Sequence, residues 1–171
     1  GATLWAETLA AYSPNDIEFE QLPFDHPLYI MYSSGTTGVP KCIVHSAGGS
    51  LIQHMKEHRL HTDLGSEDTL FYFSTCGWMM WNWLVSGLAC EATLVLYDGS
   101  PFYPQPQSLM DMADEEGISI FGTSAKYIEA LQKAGVKPAE SHQLSALKAV
   151  LSTGSPLSDE SFRYVYRHIK Q

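Results

Sequence analysis

Tyr32-Ser-Ser-Gly-Thr-Thr-Gly-Val-Pro-Lys41 decides how the chain is read. Ser33, Ser34, Thr36 and Thr37 surround Gly35 and Gly38, and the run ends on Lys41. The apolar residues 28–32 (Leu-Tyr-Ile-Met-Tyr) predict a buried strand leading in, and Ile43-Val44 a short apolar strand leading out. Glycines let successive N–H groups converge on one point, and such a concavity binds anions. The hydroxyls add donors, and Lys41 adds a full positive charge for the outer phosphates of a nucleotide. The loop therefore predicts a nucleotide-phosphate cradle between two strands. It is not the Walker loop, which closes on Gly-Lys-Ser/Thr and opens a helix. Here Pro40 precedes Lys41, Cys42 follows it, and a strand comes next. Turn chemistry alone does not ask for Pro-Lys after the second glycine.

Outward from this loop, strands alternate with helices. Strands are predicted at 28–32, 42–45, 69–73, 92–97, 118–121 and 147–151, and helices at 47–60, 79–90, 106–116, 124–134 and 158–169. Several strands are near-continuous apolar runs, as when both sheet faces are covered. The pattern predicts an α/β fold, a mostly parallel sheet flanked by helices. Residues 1–27 read as an acidic, loop-rich lead-in. Glu7, Asp16, Glu18, Glu20 and Asp25 stand there without Lys or Arg, and Pro14, Pro23 and Pro27 break any long element. The Pro-rich stretch 98–106 predicts a surface loop near a site.

A length of 171 residues suits one domain with one core. With 44% hydrophobic and 17% charged residues the chain is globular rather than disordered. Its net charge of −9 without a basic stripe argues against nucleic acid and against an anionic lipid surface as partners. Cys42, Cys76 and Cys90 are too few and too far apart for a disulfide framework or a zinc knuckle, and as free thiols they fit a reducing cytoplasm. Residues 78–97 carry a single charge, Glu91, but Asn82, Ser86 and Gly87 also interrupt them. They read as a buried helix (79–90) and a buried strand (92–97) rather than a membrane span. The N-terminus shows no signal peptide and no initiator Met, and the C-terminus stops inside a predicted helix. Both ends predict a piece of a longer protein.

Other candidates weigh less. His54, His58 and His61 share a helical face at i, i+4, i+7, but Met55 stands where a metalloprotease helix needs Glu. The face is expected to be solvated and to hold no metal. His45, ending the strand after the cradle, reads as a strand-end histidine ahead of a ligand contact. Ser74 to Trp83 leaves a strand and opens a helix with dense Trp and Met. Any one of these is expected in the core, yet the segment lies where α/β sheets line their ligand crevices. Cys76 lacks a His/Asp pattern that would make it a nucleophile. Leu151-Ser-Thr-Gly-Ser-Pro-Leu157 also runs from strand to helix, with Ser158 as N-cap. Gly154 there lets the backbone pass close to a flat ligand such as a purine.

The string 32–41 resembles the signature loop of the adenylate-forming synthetases, which include acyl-CoA synthetases, luciferases and peptide-synthetase adenylation domains. The Gly77-Trp78 turn is similar to the acyl-pocket segment of short-chain acyl-CoA synthetases, and Gly154-Ser155-Pro156 to the family's adenine-contacting turn. Lys41-Cys-Ile-Val-His-Ser46, Thr75 to Trp83 and Leu96-Tyr-Asp-Gly-Ser-Pro101 resemble the acetoacetate-activating branch. The resemblance covers nearly the whole chain, and makes 28–171 part of an AMP-binding (adenylation) domain that is cut short at its C-terminus.

It implies that Ser33, Ser34, Gly35, Thr36, Thr37, Gly38 and Lys41 hold ATP phosphates, with Lys41 and Thr37 acting in catalysis. It implies that Gly154, Ser155 and Pro156 hold adenine, and that Trp78, Met79 and Met80 bound the acid. ATP, Mg²⁺ and coenzyme A follow as cofactor and co-substrates, acetoacetate as the acid, and an AMP-forming acid–thiol ligase as the parent. Cys42 departs from the wider family's small residue but suits this branch. Glu91 replaces a small residue at an expected turn. The family's Mg²⁺-contacting segment, ribose-binding Asp, hinge and C-terminal catalytic Lys are not found, so the 171 residues alone are expected to be inactive. Two alternatives stay open: a synthetase for acetate or propionate, and a truncated, non-catalytic nucleotide-binding product.

Overall fold

The computed structural model describes residues 3–33 and 38–170. Among the described residues six strands form, each overlapping one that sequence periodicity predicts. They fall into two sheets: an antiparallel pair, β1 (Pro27–Ser33) with β2 (Lys41–Ser46), and a four-stranded parallel sheet of order β4-β3-β5-β6. In the second sheet β3 is Thr69–Tyr72, β4 Thr93–Val95, β5 Ile120–Ser124 and β6 Ala149–Thr153. The chain steps outward from β3 to β4, then returns to place β5 on the other side of β3. A reversal of this kind opens a crevice at the carboxyl ends of the strands.

The parallel sheet is covered on both faces because its side chains alternate. Phe71 and Phe121 pack at 5.0 Å between ring centres and face α4 (Ser108–Glu115), α5 (Ala125–Lys133) and α7 (Asp159–Tyr164). Leu70, Tyr72 and Ile120 point the other way, onto Met80, Trp83 and Leu84 of α3 (Met79–Ser86). In the β3–β5 register Tyr72 lies opposite Gly122, and a Cβ at 122 would overlap the Tyr72 ring. Asp114 caps the turn before β6 through the amides of Gln143 and Leu144. Ser158 caps α7, its oxygen accepting from the Ser161 amide at 3.1 Å, as its sequence position predicts.

Several expectations are corrected. The strand at 28–32 is not buried: Leu28, Ile30 and Tyr32 are 50%, 58% and 72% exposed, because the hairpin pairs only with itself. The strand at 92–97 shortens to β4 and buries only Ala92, since it forms the sheet edge. The strands of 118–121 and 147–151 begin two residues later than expected, because Ser119 is spent bridging Thr69 and Lys148. The helix at 79–90 becomes α3 followed by a 3₁₀ turn, Gly87–Cys90, and Met79 on it is exposed. The helix at 47–60 is α2 (Ala47–Lys56) continued by a π-helical turn, Glu57–His61. That at 158–169 likewise ends in a π-helical turn, Val165–Ile169. Glu91 sits at a turn, with φ +63. The short helices α1 (Trp5–Ala10) and α6 (Pro138–Ser141) have no counterpart in the periodicity. Among the described residues no helix is long and apolar enough to cross a membrane.

Candidate functional site

One cleft of about 1110 Å³ runs between the β1–β2 hairpin, α2, the start of α3 and the end of β6. The hairpin contributes Ser33, Met31 and His45, α2 contributes Gln53 and His54, α3 contributes Met79, Met80 and Trp83, and β6 ends in it at Thr153. Segments far apart in sequence, the end of β1 at Ser33, the start of α3 at Met79 and Met80, and the end of β6 before Gly154, thus open onto one space.

Ser33 is the last residue of β1 and pairs in register with Lys41, the first of β2. Pairing the two ends of the loop holds Lys41 at its mouth, where its side chain is exposed. Gly38 has φ +148, a conformation other residues rarely adopt. Ser34, Gly35, Thr36 and Thr37, expected to hold phosphate, lie outside the described residues. Met79 and Met80 both line the cleft, and Met80 is 9% exposed. Trp78 does not line it. It stands at the N-cap of α3 with its ring edge-on to Tyr72 at 6.5 Å. Gly154, φ +91, follows Thr153 directly, in a turn that calls for glycine. Ser155 and Pro156 face a separate groove of about 520 Å³ against α5. Cys76 is an exposed free thiol in a smaller groove, about 370 Å³, which the start of the 98–106 connection also lines.

The cleft's polar wall was not legible in sequence. Glu57 accepts from Trp83 Nε1 at 2.9 Å and from Gln53 Nε2 at 2.8 Å. Burial lowers the pKa of His54, Glu57 partly restores it, and His45 lowers it further. Burial pushes the Tyr72 hydroxyl up to about 12, so it stays a donor, to Thr123 O at 3.2 Å. His58, expected on a solvated face, is fully buried. The π-helical turn rolls it beneath α3, where Nε2 meets Trp83 O and Ser86 Oγ, each at 3.0 Å. A carbonyl only accepts, so Nε2 carries the proton and Nδ1 is left without a partner among the described residues. No three His, Cys, Asp or Glu side chains among the described residues gather to hold a metal.

Residues 2–171 match the family model described as AMP-binding enzyme. The chain is 61% identical over 170 residues to an acetoacetyl-coenzyme A synthetase of Rhizobium meliloti (strain 1021), covering 99% of this chain and 26% of that protein. It is 52% identical over 165 residues to the malonamoyl-CoA synthetase vrtB of Penicillium aethiopicum, covering 88% of this chain and 23% of that protein. The solved acetoacetyl-CoA synthetase from Streptomyces lividans superposes with a TM-score of 0.85 at 51% identity, covering 94% of this chain and 25% of that one. The chain spans about a quarter of the length of the relatives it matches. Match and superposition run over almost every residue described above: the chain belongs to the family of AMP-binding enzymes.

Proposed function

We propose that this chain is part of an ATP-dependent ligase that activates acetoacetate and passes the acyl group to coenzyme A. The observation that carries the reading is the cleft shared by Ser33, the strand partner of Lys41 across the loop mouth, and the apolar pair Met79 and Met80. The relatives' names point the same way: acetoacetyl and malonamoyl groups each carry an uncharged carbonyl two bonds from the activated one.

In the first step an acid oxygen bonds to the α-phosphorus of ATP, and the bond to pyrophosphate breaks. In the second, the coenzyme A sulfur bonds to the acyl carbon and AMP leaves. The first step crowds negative charge, so donors and cations must be in place before it begins. Lys41, Thr37 and the remaining loop residues Ser33, Ser34, Gly35, Thr36 and Gly38 are assigned to the phosphates. Gly154, Ser155 and Pro156 are assigned to adenine, and Trp78, Met79 and Met80 to the acid. Mg²⁺ would enter with the nucleotide phosphates. The described side chains do not by themselves make a site for it, so no role here depends on the ion. Residues 28–171 act as part of the adenylation domain, in a small-molecule enzyme of the cytoplasm.

The test is acetoacetate-dependent exchange of labelled pyrophosphate into ATP, run on the full-length protein that carries this chain. Exchange with acetoacetate above that with acetate or propionate supports the reading. The reverse order replaces acetoacetate by the preferred acid, and no exchange with any acid removes the ligase reading.

A further inference from the structure

Among the described residues that line the cleft, Glu57 supplies the one carboxylate. Both of its oxygens are held, Oε2 by the Trp83 indole at 2.9 Å and Oε1 by the Gln53 amide at 2.8 Å. Trp83 is itself fixed. It is 6% exposed, its ring lies 4.1 Å from that of His58, and it stands edge-on to Tyr72 at 5.8 Å. Lys56 Nζ stands 3.9 Å from Oε1 on an exposed side chain, so water takes up much of its charge. His54 brings little compensating charge at neutral pH, because burial lowers its pKa. A negative charge is therefore held in place on the wall that Met79, Met80 and Trp83 continue.

We infer that Glu57 is a charge filter of the acid pocket, rejecting acids that carry a second carboxylate and admitting those whose far end is neutral. This rests on the acid-activating reading above. An acid must present its own carboxylate to the α-phosphorus, so its other end points away from the phosphate loop. Acetoacetate and malonate have nearly the same length and shape, and a pocket built on shape alone separates such isosteres poorly. Only the far end differs, a methyl ketone in one and a carboxylate in the other. A like charge facing that carboxylate rejects it, while a neutral ketone or amide is left alone. The two donors matter because an unanchored Glu would swing into solvent and lose the discrimination.

The experiment compares kcat/KM for acetoacetate, malonamate and malonate in pyrophosphate exchange with the full-length protein. The wild type is expected to prefer both neutral acids to malonate. Glu57→Gln keeps an oxygen for the Trp83 indole and keeps the volume, but removes the charge. It should raise the malonate-to-acetoacetate ratio about 10- to 100-fold, the scale of like-charge discrimination at a binding site. An unchanged ratio in folded Glu57→Gln overturns the inference. If that variant does not fold, Gln53→Leu at an exposed position removes one of the two donors. The ratio should again rise, and no rise overturns the inference equally. A wild type inactive on acetoacetate sinks the functional reading instead. The same ratio is then taken between the acid it does activate and that acid's dicarboxylate analogue, and activity on no acid at all sinks both.

Discussion

The two sheets differ in what holds them. The parallel sheet is buried on both faces, with Leu70, Phe71 and Ile120 wholly covered. The β1–β2 hairpin exposes Ile30, Ile43 and Val44 by about half, yet it carries Ser33 and Lys41. One sheet supplies stability, and the other, on the function proposed above, presents Lys41 from a sparsely supported arm. Binding segments are commonly drawn from such weakly packed parts, because a residue spent on packing is not free to meet a ligand. The same substitution should therefore be read in different observables in the two sheets.

Truncation in the parallel sheet sets the upper end of the scale. Phe71→Ala deletes a ring packed on Phe121 and should cost about 3–5 kcal/mol of unfolding free energy, the usual range for a buried aromatic. Ile30→Ala in the hairpin should cost under ~1 kcal/mol, since little surface is recovered from water. Urea titration of both variants checks the contrast, and equal losses would mean that the hairpin is as well packed as the sheet.

Lys41→Ala inverts the comparison. The side chain is exposed, so the unfolding midpoint should stay put. Pyrophosphate exchange by the full-length protein should fall on the order of 10²-fold, as for loss of one charge-stabilising donor. A rate that holds would take Lys41 out of the phosphate site.

Met80→Ala touches both observables, because Met80 is at once nearly buried and on the cleft. It should shift preference toward longer acids by about 1–3 kcal/mol per added methylene, and it should also lower stability. Relative kcat/KM along a homologous acid series reads the first effect. If only stability moves, Met80 is core.

The sequence showed the alternation of strands and helices because the runs 70–72 and 120–121 are apolar on both sides of the strand. It pointed to Lys41, Met79 and Met80 as candidates, because they follow a Gly/Ser/Thr loop and a strand end, and the fold sets Met79 and Met80 on the cleft. The exposure of β1 was hidden, since an apolar strand reads as buried whether or not anything covers it. Glu57 and His58 were hidden for another reason. Their partner Trp83 lies 26 and 25 residues away, and the π-helical turn that aims them has no periodic signature. Helical spacing placed His58 with His54 and His61 on one solvated face, whereas the fold buries His58 and leaves His54 and His61 lining the cleft.

His58 offers the smallest effect and the finest test of how α2 and α3 are joined. Its ring is neutral and buried, and its pKa is lowered from 6.5 first by desolvation and further by His54, against a partial rise from its bond to Trp83 O and from Glu57. The unfolded chain would take a proton near pH 6.5 and the folded one only below that, so in the interval between them the unfolded state holds more protons. Stability from this residue is therefore complete above pH 6.5 and drains as the pH falls toward the folded value. Protonation would add a donor at Nδ1 with no acceptor beside it among the described residues. The lowered Asp68 and Asp114 act in a separate, more acid range, below 3.8. His54 shifts the same way as His58, so the measurement is made on His54→Gln. In that background the unfolding free energy, followed by urea titration between pH 7.5 and ~5 around the ordinary histidine pKa, should decline with acid. Adding His58→Gln should flatten the decline. An undiminished slope would show that His58 is not the proton acceptor, and that the contact between α2 and α3 is insensitive to pH.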